Sequence, residues 1–102
     1  MLDEGRRLYW STWREHLDRN FPEPERSRLY TVLETVAKSE ESVGRDAFLP
    51  ALNRGGEPVG EAALRYLLDT LLADGYLTMD SERRYSFRMN LLREWWLRHV
   101  VL

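Results

Sequence analysis

Val59-Gly60-Glu61-Ala62-Ala63-Leu64-Arg65-Tyr66-Leu67-Leu68-Asp69-Thr70-Leu71-Leu72-Ala73-Asp74-Gly75-Tyr76-Leu77 is the stretch that decides the fold of this chain. Leu64, Leu67, Leu68, Leu71 and Leu72 recur at three- and four-residue intervals, which gathers them on one face of a helix running from about Val59 to Asp74. Gly75 stands where a left-handed C′ residue would close that helix. Immediately afterwards Tyr76-Leu77-Thr78-Met79 and Arg84-Tyr85-Ser86-Phe87-Arg88 have the alternation and residue types of strands. The polar Asp80-Ser81-Glu82-Arg83 between them reads as a turn, so the pair predicts a β-hairpin.

Working outward, Phe48, Leu49 and Leu52 mark a short preceding helix that ends in the glycine-bearing turn Asn53-Arg54-Gly55-Gly56-Glu57-Pro58. Before it, Leu29, Val32, Leu33, Val36 and Ala37 predict a core helix over 25–38, joined to the short one by the polar connection Ser39–Gly44. The chain starts with an amphipathic helix over about 3–19, striped by Leu2, Tyr9, Trp10, Trp13 and Leu17, and Phe21-Pro22-Glu23-Pro24 stops it. After the hairpin, Asn90 is the expected N-cap of a last helix reaching Leu102. Its apolar arc of Leu91, Leu92, Trp95, Trp96, His99 and Val100 leaves Leu97 and Val101 outside.

A length of 102 residues fits a single core. The reading is a mainly α chain with a small β-hairpin: one domain over 1–102, with an N-terminal helix over 1–21, a core over 24–88 and a C-terminal helix over 89–102. Short helix, turn, leucine-faced helix and hairpin, in that order, make a winged helix-turn-helix with extra helices at both ends.

Leu71-Leu72-Ala73-Asp74-Gly75-Tyr76-Leu77, and Tyr85-Ser86-Phe87-Arg88-Met89-Asn90-Leu91-Leu92-Arg93-Glu94-Trp95-Trp96 after the hairpin, resemble the C-terminal winged-helix domain of prokaryotic STAND and AAA-type ATPases. Arg6-Arg7-Leu8-Tyr9-Trp10 is similar to the last helix of the ATPase lid that precedes such wings. The family often has proline just before Leu-Leu-Arg, where this sequence has Asn90. The resemblance implies an accessory, regulatory domain beside an ATPase module, with ATP bound elsewhere in the parent protein.

The residues themselves offer little catalytic chemistry. There is no cysteine, so no disulfide, thiolate metal site or cysteine nucleophile is available. The one glycine pair, Gly55-Gly56, leads into Glu57-Pro58 and lacks the lysine of a phosphate-binding loop. His16 and His99 have no second ligand at metal spacing and are expected to pack at the core boundary. Glu40-Glu41 and Asp80/Glu82 read as solvated loop charges. The expectation is a non-enzyme with no cofactor or metal in this chain. The absence of a signal-like apolar run at the start points to the cytoplasm.

Two binding roles remain. Fifteen basic and seventeen acidic residues leave a formal charge of -2, mixed along the chain, so no long-range field draws in nucleic acid. The outward side of the leucine-faced helix presents Ala62, Tyr66, Asp69, Thr70 and Ala73, with Glu61 and Arg65 flanking. A DNA-binding wing would use Arg65, Tyr66, Arg83, Arg84, Arg88 and Arg54, with Arg45 near the short helix. The same arginines could instead pair with Asp80, Glu82 and Glu57 on a solvated surface. A protein-facing role draws on Trp10, Trp13, Trp95 and Trp96 with Leu97 and Val101, which could dock a neighbouring ATPase domain, a partner protein or a second copy. These rings could equally pack the terminal helices on each other. The protein-facing role is the preferred reading, DNA binding the alternative.

Overall fold

The structure, a computed structural model, describes residues 2–54 and 58–101, with side chains from Trp10 onward. The turn at Gly55, Gly56 and Glu57, and the side chains of Leu2 and Tyr9 in the first stripe, lie outside the described residues. In chain order the elements are α1 (Leu2–Asn20), α2 (Glu25–Lys38), a 3-10 turn (Arg45–Ala47), α3 (Phe48–Asn53), α4 (Glu61–Ala73), β1 (Leu77–Met79), β2 (Tyr85–Phe87) and α5 (Asn90–Trp96). A π-helical turn (Leu97–Val101) continues α5. The chain is mainly helical with a small antiparallel hairpin, a winged-helix-like arrangement.

The core forms where two apolar faces meet. Leu29, Val32, Leu33, Val36 and Ala37 of α2 are all buried, as are Leu64, Leu67, Leu68 and Leu71 of α4. Each leucine so enclosed contributes about 1.5–3 kcal/mol over an exposed one. Leu72, the fifth leucine of the stripe, is half-buried at its margin. Phe48 and Leu52 of α3 close one side. α4 starts later than the periodicity suggests because Val59 is buried before the helix begins and donates its N–H to Asn53 Oδ1 at 2.6 Å. The Glu23 carboxylate caps the start of α2, accepting from the Ser27 N–H at 2.9 Å and its hydroxyl at 2.7 Å. Those two bonds hold the Glu23 carboxyl below its ordinary range.

Gly75 ends α4 as expected. Its φ of 85° lets its own N–H reach Leu72 O at 3.2 Å and the Tyr76 N–H reach Leu71 O at 3.0 Å, so two terminal carbonyls are satisfied together. In the hairpin Leu77 pairs with Phe87, Thr78 with Ser86 and Met79 with Tyr85. The Asp80 carboxylate organises the turn by accepting from the N–H groups of Glu82 and Arg84 at 2.9 and 3.0 Å. Arg83 sits there with φ 61°, a left-handed conformation that L side chains disfavour.

Two features differ from the sequence expectations. The Ser39–Gly44 connection carries a strand-like residue, for Val43 and Tyr85 exchange both backbone hydrogen bonds at 2.7 Å and add a single-residue third strand to the wing. At the last helix, Met89 occupies the cap position and Asn90 is the first helical residue, without a side-chain cap. Leu92 and Trp96 are buried, whereas Leu91, expected in the apolar arc, is 55% exposed. The π-helical turn then departs from the α period, and Leu97 at its start and Val101 at its end are half-buried against the core beside Val100.

Leu68→Ala is expected to cost about 2–5 kcal/mol through the cavity it leaves. Arg83→Gly is expected to stabilise the fold by about 1 kcal/mol by relieving the left-handed backbone. Urea midpoints at constant slope read both. A lowered midpoint for Arg83→Gly would mean that the arginine side chain contributes more than its backbone costs.

Candidate interaction surface

The outward side of α4 is exposed as expected at Ala62, Arg65, Tyr66, Asp69 and Ala73, while Thr70 is half-buried. Its charges are largely answered within the chain. Arg65 Nε lies 3.8 Å from Asp69 Oδ2 one turn on, and the Tyr66 hydroxyl, in a residue 51% exposed, donates to Glu25 Oε2 at 3.2 Å. At the start of the helix Arg45 places Nε and Nη2 on Glu61 Oε2 at 3.1 and 2.8 Å. Arg65, the one exposed base on this face, thus has Asp69 beside it, while Glu61 and Glu25 are engaged by Arg45 and Tyr66.

The wing arginines divide. Arg84 turns inward and is half-buried, donating from Nε to Ser42 Oγ at 3.1 Å and from Nη2 to Ser42 O at 2.6 Å. Arg93 of α5 makes a parallel tie, donating to Ser39 O at 3.0 Å. The two guanidinium groups hold both ends of the Ser39–Ser42 loop just past the C-terminus of α2, where cations are favoured. Arg83 and Arg88 are exposed, with the Arg88 guanidinium lying over Gly75, and Arg54 is exposed at the end of α3. Among the described residues no ion pair joins Arg83, Arg84 or Arg88 to Asp80 or Glu82, since Asp80 is engaged by the turn backbone. Glu57, the third suggested partner, lies outside the described residues.

The tryptophans of the terminal helices meet around Tyr76. That ring is fully buried, with Trp13 edge-on at 4.9 Å between centroids and Trp96 edge-on at 6.2 Å. The Tyr76 hydroxyl donates to Trp13 O, tying the root of the wing to α1. Trp96 is 0% exposed, also stacked near Tyr30 and Phe87, so it presents no surface to a partner. Trp10 and Trp13 are half-buried against the core, as are Leu97 and Val101. Trp95 is half-buried and stacks on the exposed His99 ring at 4.9 Å. The candidate interface residues thus lie mostly in the packing of the terminal helices, and among the described residues Leu91, Tyr66 and Met79 are the exposed large apolar side chains. Sequence periodicity missed Tyr76 as a core hub. Its place directly after the C′ glycine was the available signal, because an apolar contact commonly accompanies that cap.

His16 bridges two elements, with Nε2 3.2 Å from Asp74 Oδ2 and Nδ1 3.0 Å from Asn20 Nδ2, so it joins α1 to the end of α4. Among the described residues no three His, Asp or Glu side chains group in a way that would hold a metal ion, and Glu40 and Glu41 are exposed. No helix among them is long and apolar enough to cross a membrane. Comparison with family models, with curated proteins and with solved structures returns no match to this chain.

Two phenols are strongly perturbed. Burial, then the hydrogen bond that Tyr30 donates to Asp18 Oδ1 at 2.6 Å, pushes its pKa from 10.0 up to about 12. Burial also raises Tyr76, with the Asp74 charge adding to the effect. A raised phenol keeps its proton in the folded state while the unfolded chain releases one, so stability falls as pH rises through the window from about 10 to 12. Tyr30→Phe is expected to flatten that alkaline loss, measured by urea denaturation across the window. An unchanged slope would place the titration elsewhere. Arg84→Ala is expected to cost about 1–3 kcal/mol by removing two charge-assisted bonds, and Arg65→Ala less than about 0.5 kcal/mol. Equal losses would contradict the inward role of Arg84.

Proposed function

We propose that this chain is a non-catalytic, regulatory protein-interaction domain, an accessory winged-helix module of a STAND or AAA-type ATPase acting in the cytoplasm of a prokaryote. The observation that carries this reading is the electrostatic state of the α4 face. A helix that enters the major groove brings several cationic or amide side chains to phosphates and base edges. Here Arg65 has Asp69 one turn on, Glu61 and Glu25 are engaged by Arg45 and Tyr66, and the exposed Tyr66 ring has Ala62 one turn before it and Thr70 one turn after. A face of small side chains around one aromatic ring suits a protein contact, where tyrosine combines apolar area with a polar tip. The partner is the neighbouring ATPase domain, another protein or a second copy of the chain. The structural role of Arg84 supports the same reading, because it removes one base from the wing's outer surface.

DNA binding is the second reading, favoured by the exposure of Arg83 and Arg88 on the wing and of Arg54 beside α3. Fluorescence anisotropy with a labelled random-sequence duplex near physiological salt separates the two. The protein-interaction reading expects a Kd above about 1 μM that rises further with added salt. Tight binding lost in Tyr66→Ala and Arg65→Ala would establish the DNA role instead. For the regulatory role, an upstream phosphate-binding loop in the full reading frame and saturable binding of the present chain to that ATPase module are expected. A reading frame without such a module, together with a monomer in sedimentation equilibrium at about 100 μM, well above the micromolar range of weak association, would overturn it.

A further inference from the structure

We draw no further inference here: the strongest candidate, the cavity between the Ser39–Ser42 loop, β2 and α5 that Arg93 lines, carries nothing because Glu40 and Glu41 line it beside the guanidinium and would repel an anion, and the unpartnered Arg93 Nε is shut off from solvent.

Discussion

The fold rests on the apolar contact between α2 and α4. Nine side chains from these two helices are buried, and all but Ala37 are branched aliphatic residues whose removal from water contributes about 1.5–3 kcal/mol each. That contact also determines which α4 residues remain for function. Once Leu64, Leu67, Leu68 and Leu71 face inward, helical geometry turns Ala62, Tyr66, Asp69 and Ala73 outward. The character of the outward face is therefore a consequence of core packing.

A second constraint begins where α4 stops. The left-handed Gly75 reverses the chain and delivers Tyr76 into the interior between Trp13 of α1 and Trp96 of α5. One ring thereby links the wing root to both terminal helices, and its hydroxyl is satisfied by a helix carbonyl, so burying the phenol leaves no polar group orphaned. A side chain at position 75 would meet both the left-handed backbone and the Trp13 ring, 3.7 Å from a Cβ. The glycine is needed for the turn, since the contact a Cβ would make with Trp13 is an ordinary one and only the backbone conformation demands it.

Periodicity made the helices legible before any coordinates. The intervals in α2 named each of its buried residues, and the leucine run of α4 failed only at Leu72, on the edge of the face. What escaped was mostly what lacked a period, with Leu91 and His99 of the last helix's expected apolar arc the exposed exceptions. Val43 pairs with Tyr85 as a single residue, and one residue cannot alternate. The π-helical turn that seats Leu97 and Val101 departs from the 100° spacing on which their expected exposure depended. For the candidate surface, sequence located the tryptophans on the terminal helices but could not tell the enclosed Trp96 from the half-buried Trp95, because neighbouring aromatics look alike until packing chooses between them.

The arginines carry the same lesson into function. Read along the chain, Arg83, Arg84 and Arg88 form a basic cluster suited to phosphates. In the fold, Arg84 is turned inward to the Ser42 carbonyl and hydroxyl, and Arg93 performs the matching task at Ser39. A guanidinium that satisfies a loop carbonyl in a half-buried setting cannot also neutralise a phosphate outside without giving up those bonds, at about 1.5–3 kcal/mol for hydrogen bonds to a charged group. Phosphate binding by this wing would fall to Arg83 and Arg88, two contacts where duplex affinity at physiological salt generally draws on many more. This shortage of free wing cations is the ground on which we propose a protein partner, whose recognition depends on shape and a few apolar anchors more than on accumulated positive charge.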